Sequence, residues 1–292
     1  MIDQRQKALQ VALAASARAG GQGEGRIEAL RQLGGGASKE SWSFDFVTAE
    51  RSVPMVLRVA PLSERFSGNG VLPIATEAAL IREAYRDGLS VPEFFFELTP
   101  DAEVGEGYAM ARLTGESVGP RILKSQTLHG ARAGLARQCG MALAQLHALS
   151  RDHLPALPTA HPAVASQVLE DRFRATGQSR PVFELAFGWL SRNRPEPRPL
   201  ALVHGDFRNG NLMVGPNGLV GILDWEQAHI GDPIEDLGWL CVESWRFQNP
   251  SQPVGGFGGY QDLIDGYAEA GGRAPSLGEI RYWEIYGSLR GA

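Results

Sequence analysis

One short stretch of the chain, residues 202–236, carries carboxylates and an amide at a spacing that could support chemistry. Asp206 and Asn211 lie five residues apart, and two apolar runs joined by Gly215-Pro216-Asn217-Gly218 lead on to Asp224. Two such runs with a glycine-rich turn predict a β-hairpin, which brings the ends of the stretch together. Phosphoryl transfer needs a carboxylate near the attacking hydroxyl and hard oxygen ligands for Mg²⁺. The pattern therefore predicts Asp206 as a base and Asn211 and Asp224 as Mg²⁺ ligands. The alternative is a polar turn flanked by surface acids.

The same stretch, LVHGDFRNGNLMVGPNGLVGILDWEQAHIGDPIED, resembles the HGD-x-x-x-x-N and I-x-D-W/F-E signatures of the aminoglycoside phosphotransferase and choline kinase-like family. That family is distantly related to the protein kinases. The run DWEQAHIGDPIEDLGWLC is most similar to the branch of kinase-like domains associated with acyl-CoA dehydrogenases. The resemblance extends from about Gly34 to the end. It implies an α+β, two-lobed protein-kinase-like fold with a small antiparallel β-rich N-lobe and a mainly helical C-lobe, and the same roles for Asp206, Asn211 and Asp224.

Composition and charge indicate an ordinary globular protein. A formal net charge of -5 over 292 residues gives no electrostatic footprint for nucleic acid or an anionic membrane, so we expect neither as a partner. Cys139 and Cys241 are far apart without CxxC spacing, which indicates neither a disulfide scaffold nor a zinc site and favours a reducing cytoplasm. The first residues predict an N-terminal helix. A signal peptide is the alternative, although Ser16 and Arg18 interrupt its apolar run.

A glycine-rich segment between two predicted strands is a candidate phosphate contact. The first strand covers residues 27–33, and the second is predicted from apolar residues that alternate with polar ones after residue 40. Glycines allow backbone N–H groups to approach phosphate oxygens, as in kinases that cover a nucleotide. An ordinary hairpin turn is the alternative. The candidate nucleotide contacts here are Gly35, Gly36, Ala37 and Ser38.

The next predicted strand, residues 53–59, places Arg58 where the related kinases carry a lysine on their third strand. Arginine can also bridge phosphates and pair with a helix glutamate, although its planar fork imposes a different geometry from an ammonium. We predict that its partner is Glu77, on a helix that runs to about Asp87. The pair is expected to hold nucleotide phosphates. A surface arginine and a surface glutamate are the alternative.

The predicted domain boundaries follow from these elements. Residues 1–110 would form the N-terminal helix and the nucleotide-covering N-lobe, residues 111–115 a hinge, and residues 116–292 the helical C-lobe with the catalytic loop and metal site. A strand over 108–113 would present the backbone of Ala111 and Leu113 to an adenine ring. Met110 is either a further nucleotide contact or a core residue.

Helices are predicted in the C-lobe at 128–149, 163–174 and 181–193, the last two where family members vary the acceptor pocket. Family members usually continue beyond the position where this chain stops. We therefore expect a shortened or truncated C-terminus, with an apolar surface through which the protein could form an oligomer.

Several residues in and after the first stretch are expected to act as scaffold. His204 matches the histidine of the protein kinases' H-R-D loop and would order that loop, with a hydrolase dyad of His204 and Asp206 as the alternative. Asp232 and Asp236 would hold the loop and cap the next helix, and Glu226 would contact Mg²⁺ or its surroundings. An aromatic cluster is predicted as C-lobe core: Trp239, Trp245, Phe247, Phe257 and Tyr260.

These features together predict an ATP-dependent small-molecule kinase that transfers the γ-phosphoryl group to a substrate hydroxyl. The expected cofactor is Mg²⁺ and the expected co-substrate is ATP, with GTP left open. The branch resemblance favours a hydroxy acid or hydroxyacyl compound as the small hydroxylated substrate. The alternatives are a catalytically silent nucleotide-binding or scaffold module, an aminoglycoside antibiotic kinase and a metal-dependent hydrolase.

Overall fold

The computed structural model describes residues 2–34, 39–60, 70–99 and 103–291. The chain divides into two compact units. The first unit comprises Met1–Leu113 with Trp225–Gln227, and the second comprises Thr114–Asp224 with Ala228–Ala292. The predicted phosphate contacts Gly35, Gly36, Ala37 and Ser38 lie outside the described residues.

The described part of the first unit consists of α1 (Ile2–Ala19), β1 (Arg26–Leu33), β2 (Glu40–Val47), β3 (Ser52–Val59), α2 (Ile74–Arg86), β4 (Phe94–Leu98) and β5 (Gly107–Ala111). The five strands form one antiparallel sheet in the order β1-β2-β3-β5-β4.

Alternation along the strands gives the sheet of the first unit two different faces. Trp42, Phe44 and Phe46 of β2 are buried in one cluster with Leu9 and Leu13 of α1. The N-terminal helix and the alternating strand predicted from the sequence are therefore confirmed. The intervening positions of the strands belong to the other face, which α2 approaches through its contacts with β4 and β5.

The strand predicted at 108–113 is shorter than expected, because β5 ends at Ala111. The register pairs Ala111 with Met55, so the next residue, Arg112, falls opposite Pro54. The N–H of Arg112 still donates to the carbonyl of Pro54 over 3.0 Å. Proline has no N–H to return, and the ladder stops there.

The second unit is mainly helical, with two short antiparallel strand pairs, β6-β9 and β7-β8. Its elements are α3 (Gly119–Lys124), α4 (His129–His147), α5 (Pro162–Ala175), α6 (Pro181–Arg192), β6 (Ala201–Val203), β7 (Leu212–Gly215), β8 (Gly218–Ile222), β9 (His229–Gly231), α7 (Ile234–Leu240), α8 (Tyr260–Glu269) and α9 (Leu277–Arg290). The three predicted helices are confirmed as α4, α5 and α6, with ends shifted by one or two residues.

Glycines allow α4 and α8 to pack backbone against backbone. A Cβ atom at Gly140 would lie 2.2 Å from the carbonyl oxygen of Leu263, and one at Gly266 would lie 2.0 Å from that of Arg137. Such contacts are too short for any side chain, so the two positions fix how closely the helices approach. From the same α4, Gln138 accepts a 2.7 Å hydrogen bond from the N–H of Leu219 and so anchors the β7-β8 hairpin.

No helix in the described ranges is long and apolar enough to cross a membrane.

Candidate functional site

Asp206 and Asn211 meet on the loop that joins β6 to β7 in the second unit. The side-chain amide of Asn211 donates to Oδ2 of Asp206 over 2.6 Å and to the main-chain oxygen of Asp206 over 3.0 Å. Both side chains are buried, at 6% exposure each. Because the amide nitrogen of Asn211 is occupied in this way, its Oδ1 atom is the oxygen that remains for a cation.

The predicted hairpin is present as β7 and β8, and it delivers Asp224 to the same loop. The N–H of Leu223 donates to the carbonyl of Asn211 over 2.8 Å, so Asp224 is the residue directly after this contact. Asp224 has φ 63°, in the left-handed region that non-glycine residues seldom adopt. Strained backbone of this kind persists where the surroundings hold it in place, and it is common at functional sites.

The Asp206 carboxylate accepts hydrogen bonds on both oxygens. Nε of Arg208 lies 3.0 Å from Oδ1 and 3.2 Å from Oδ2, and the indole N–H of Trp239 donates to Oδ1 over 2.8 Å. The sequence placed Trp239 in the core, and it is indeed buried at 7% exposure. The structure adds a contact that the core prediction did not include, because the indole N–H binds the candidate base.

Two indole rings and two guanidinium groups surround this carboxylate. Arg290 lies over Trp239 with 4.8 Å from its Cζ to the ring centroid, and Arg208 lies over Trp245 at 4.4 Å. The two indole centroids are 5.4 Å apart. Arg290 also donates to the carbonyl of Gly205 over 3.2 Å. Apart from Asn211, the side chains grouped around the candidate base are therefore aromatic or positively charged.

His204 holds the backbone of the loop, as predicted. Its Nε2 atom lies 3.0 Å from the carbonyl oxygen of Leu223, and the N–H of Asp206 donates to its Nδ1 atom over 3.2 Å. These partners select the neutral tautomer with its proton on Nε2. Burial lowers the pKa of His204, and this effect outweighs the nearby carboxylates of Asp236, Asp206 and Asp224.

Asp236 holds the other side of the loop. Its carboxylate accepts the N–H groups of His204 and Gly205 over 2.8 and 2.9 Å, and it lies 3.2 Å from Nε2 of His147. Burial acts to raise the pKa of Asp236, but the hydrogen bond and charge of His147 lower it overall. Asp232 accepts the N–H of Ile234 at the beginning of α7. Both acids therefore occupy the scaffold positions expected of them.

A separate cluster of charges in the first unit surrounds Glu77. The predicted ion pair is present, with 2.7 Å between Nε of Arg58 and Oε1 of Glu77. The hydroxyl of Tyr108 donates to Oε1 over 2.6 Å, and Nζ of Lys39 lies 2.5 Å from Oε2. Burial acts to raise the pKa of Glu77, but the charges of Arg58 and Lys39 lower it overall. The sequence analysis missed Lys39.

Strand register explains why Lys39 and Arg58 meet one carboxylate. Ser41 of β2 pairs directly with Arg58 of β3. Side chains two positions apart on a strand share a face, so Lys39 is a diagonal neighbour of Arg58. Tyr108 pairs with Arg58 from β5 and joins them on that face. The sequence does contain a signal for this contact, because Lys39 lies two residues before Ser41. Recognising it requires the β2-β3 register, which pairs Ser41 with Arg58.

Glu226 lies beside the same cations in the first unit. Its Oε2 atom is 3.7 Å from Nζ of Lys39 and 3.5 Å from Nη2 of Arg58. The N–H of Leu72 donates to the main-chain oxygen of Glu226 over 2.7 Å. The sequence suggested a role near Mg²⁺ for Glu226, and the structure places it against Lys39 and Arg58.

The three residues predicted to contact adenine differ in how far the sheet already occupies their side chains and backbone groups. Met110 is buried at 8% exposure and pairs with Val56 and Phe94 in the sheet, as a core residue would. The N–H of Ala111 is occupied by the carbonyl of Glu93 over 2.8 Å. Leu113 follows the end of β5, beyond the hydrogen-bonded ladder.

An antiparallel five-stranded sheet, a mainly helical second unit and an Asp–Asn loop followed by a hairpin that ends at an aspartate are the features of an α+β phosphotransferase with a kinase-like fold. Residues 29–273 match the model of the phosphotransferase enzyme family, and the chain belongs to that family.

Individual comparisons agree with this assignment. Acyl-CoA dehydrogenase family member 11 of Pongo abelii is 28% identical over 217 residues, which are 70% of this chain and 26% of that protein. The chain thus spans about a quarter of that relative. A choline/ethanolamine kinase family protein of Mesorhizobium loti has a similar fold, with a TM-score of 0.63 and 23% identity, covering 98% of this chain and 85% of that one. An ADP-bound aminoglycoside phosphotransferase has a TM-score of 0.56 and 18% identity, covering 91% and 86%.

Proposed function

We propose that this protein is an ATP-dependent kinase that transfers the γ-phosphoryl group to a hydroxyl of a small molecule. The observation that carries the proposal is the hydrogen-bonded pair of Asp206 and Asn211, on the loop to which the β7-β8 hairpin delivers Asp224. This arrangement offers one carboxylate for a proton and two separate oxygen groups for a metal, which are the groups that phosphoryl transfer requires.

Asp206 is the proposed base. Its carboxylate is held by Trp239 on Oδ1 and by Asn211 on Oδ2, while the single Nε–H of Arg208 is shared between the two oxygens. A shared donor is weaker at each acceptor than an undivided one. The substrate hydroxyl would therefore displace Arg208, whose side chain is 25% exposed, and donate its proton to Asp206.

Asn211 and Asp224 are the proposed magnesium ligands. Mg²⁺ prefers oxygen donors and is usually held by one or two protein groups together with substrate phosphates, which an Asn oxygen and an Asp carboxylate fit. When bound, the ion neutralises charge on the phosphates during transfer. The hydrogen bond from the amide of Asn211 to Asp206 turns the amide so that its oxygen is the free atom.

Arg58 and Glu77 of the first unit are proposed to take part in the nucleotide phosphate site, because the buried carboxylate of Glu77 keeps the neighbouring cations in a fixed place. Residues 111–115 remain the proposed hinge within the predicted division into residues 1–110 and 116–292. Nucleotide contacts are further proposed for Gly35, Gly36, Ala37, Ser38, Met110, Ala111 and Leu113. Among the last three, Leu113 is the position least engaged by the sheet.

The acceptor is proposed to be a hydroxy acid or a hydroxyacyl compound. What supports this is the similarity to a protein named as an acyl-CoA dehydrogenase family member, of which this chain spans 26%. The arginines beside Asp206 fit an anionic acceptor better than a polycationic one, because like charges repel. A cytoplasmic location and an oligomer formed through the C-terminal surface stay predictions.

The test is a screen of hydroxylated metabolites with ATP and Mg²⁺, in which ADP and the phosphorylated product are both measured by mass spectrometry. The panel contains hydroxy acids, hydroxyacyl thioesters, sugars, choline and aminoglycosides. Equal yields of ADP and phosphorylated acceptor, lost in Asp206→Asn, would support the proposal. Release of inorganic phosphate without an acceptor would indicate a hydrolase, and the lack of any Mg²⁺-dependent thermal stabilisation by ATP would indicate a module without a nucleotide site.

A further inference from the structure

Lysine is rare in this chain, and one lysine stands apart from the others. The sequence contains three lysines among 28 Lys and Arg residues. Lys7 and Lys124 are exposed on helices, whereas Lys39 is buried at 7% exposure. Burying an ammonium is costly unless the charge is paired and hydrogen-bonded. The position of Lys39 therefore depends on the groups around it.

Lys39 forms a cluster with three other charged side chains, and the two carboxylates of the cluster lie at different distances from its cations. Glu77 is fully buried, and its ion pairs with Lys39 and Arg58 measure 2.5 and 2.7 Å. Glu226 is 14% exposed at its side chain and lies farther from both cations, at 3.7 and 3.5 Å. The inner carboxylate thus fixes the two cations. The outer carboxylate lies at least 3.5 Å from each of the two cations, so it is the carboxylate that another anion could replace beside them.

Within the described residues, the ammonium of Lys39 donates to two acceptors and keeps one further N–H. It has three N–H groups, of which one is directed to Glu77 and one to the carbonyl of Leu72 over 3.1 Å. Glu226 lies 3.7 Å from the ammonium, beyond hydrogen-bond range. A lysine ammonium is a compact point charge that suits phosphate oxygens, whereas a guanidinium has a fixed planar fork.

We propose that Lys39, directly before β2, supplies the ammonium that binds the nucleotide phosphates, and that Arg58 in β3 mainly orients Glu77 beside it. A phosphate oxygen takes the place of the Glu226 carboxylate next to Lys39. This inference rests on the proposed function, because it requires a nucleotide. It moves the phosphate-binding lysine from the third strand, where related kinases have it, to the residue directly before the adjacent strand β2.

The first test labels the wild-type protein with 5′-fluorosulfonylbenzoyl adenosine, which carries a sulfonyl fluoride in place of the terminal phosphates. The amine attacks sulfur, an S–N bond forms, the S–F bond breaks, fluoride leaves, and the amine loses a proton to solvent. Peptide mapping should find the label on Lys39, and ATP with Mg²⁺ should prevent it. Lys7 and Lys124 serve as internal controls. Labelling of either of these, or of Tyr108, in place of Lys39 would overturn the assignment.

The second test exchanges the two cations. Lys39→Met should weaken ATP-Mg²⁺ binding by about 10-fold or more, since hydrogen bonds to charged groups contribute about 1.5–3 kcal/mol. Adding Arg58→Lys to Lys39→Met should restore part of that affinity and move the label to position 58. Thermal unfolding of each variant separates weaker binding from misfolding. A Lys39→Met variant that binds ATP-Mg²⁺ like the wild type would refute the proposal.

These results are separable from the proposed function. If calorimetry detects no ATP-Mg²⁺ binding to the wild-type protein, the proposed kinase function fails and the inference fails with it. If the wild type binds ATP and phosphorylates an acceptor while Lys39 is neither labelled nor needed for affinity, only the inference fails.

Discussion

The indole N–H of Trp239 donates a 2.8 Å hydrogen bond to Oδ1 of Asp206. Trp239 lies in α7, 33 residues after Asp206, so the bond links the candidate catalytic loop to a buried helix. Both residues are buried, and no rotation of the Asp206 carboxylate about its last bond is possible without breaking this contact. We interpret Trp239 as a residue that positions the base and does not itself contact substrate.

We predict that Trp239→Phe lowers kcat while leaving the affinity for ATP-Mg²⁺ nearly unchanged. Phenylalanine keeps an aromatic ring but removes the N–H together with part of the indole ring system, and the control substitution below shares that loss of ring volume. A hydrogen bond to a charged group contributes about 1.5–3 kcal/mol, so a fall of about 10-fold or more is expected. The matched control is Trp245→Phe, because the buried indole N–H of Trp245 has no hydrogen-bond partner within the described residues. Equal effects on kcat from the two substitutions would contradict the positioning role.

We predict that Asp206→Asn and Asp224→Asn change different kinetic properties, the first kcat and the second the Mg²⁺ requirement. Asp206→Asn keeps size and hydrogen-bonding reach but removes the charge that accepts a proton. A positioned general base contributes about 10²–10⁴-fold in rate, so kcat should fall by about that factor with ATP binding retained. Asp224→Asn should instead raise the Mg²⁺ requirement, because a neutral amide holds a hard dication less well than a carboxylate.

The measurements are steady-state kinetics with an identified acceptor and calorimetric titration of ATP at several Mg²⁺ concentrations. Near wild-type kcat in Asp206→Asn would remove Asp206 from the role of base. Unaltered Mg²⁺ dependence in Asp224→Asn would remove Asp224 from the metal site.

Local spacing was enough to predict that the second-unit residues of the candidate site lie on one loop and hairpin. Asp206, Asn211 and Asp224 are separated only by a loop and a tight hairpin, so turn residues and apolar runs determine how they come together. The Arg58–Glu77 pair was predicted from order along the chain, and the ion pair is present.

The contacts that were missed all depend on elements distant in sequence. Lys39 reaches Glu77 because of the β2-β3 register, and Glu226 reaches Lys39 from a segment almost 190 residues farther along the chain. The sequence predicts Trp239 only as a core residue. That its indole N–H donates to Asp206 follows from the packing of α7 against the loop. Hydrophobic periodicity shows that such a side chain is buried but not which polar atom it meets.

A double-mutant cycle on Arg58 and Glu77 tests whether they act as one unit on nucleotide binding. Arg58→Ala and Glu77→Ala should each weaken ATP-Mg²⁺ binding, because each disturbs the cation cluster of the first unit. Residues in direct ionic contact typically show coupling energies of about 0.5–3 kcal/mol. We expect the double variant to lose less than the sum of the single losses, measured by calorimetry alongside thermal unfolding. Additive losses would show that the contact does not matter for binding.

The pH dependence of stability should report the neutral state of His204. Burial lowers the pKa of His204 in the folded protein. Below about pH 6.5 the imidazole is therefore protonated in the unfolded chain while it stays neutral in the folded protein. Stability from this residue is therefore present above pH 6.5 and is lost as the pH falls below it. The pKa values of Glu77 and Asp236 are lowered from 4.5 and 3.8, so their contributions are lost only in more acidic solution.

The free energy of unfolding, measured with urea, should therefore fall between pH 7.5 and pH 5.5. His204 contributes at most about 1.4 kcal/mol per pH unit to this fall. Protonation would also remove the Nδ1 acceptor of the Asp206 N–H, which links this loss to the candidate catalytic loop. His204→Asn should be less stable at pH 7.5 but should show a flatter dependence on pH. The control His153→Asn, at an exposed position, should keep the wild-type slope. If His204→Asn also keeps that slope, the folded protein does not hold His204 in the neutral form.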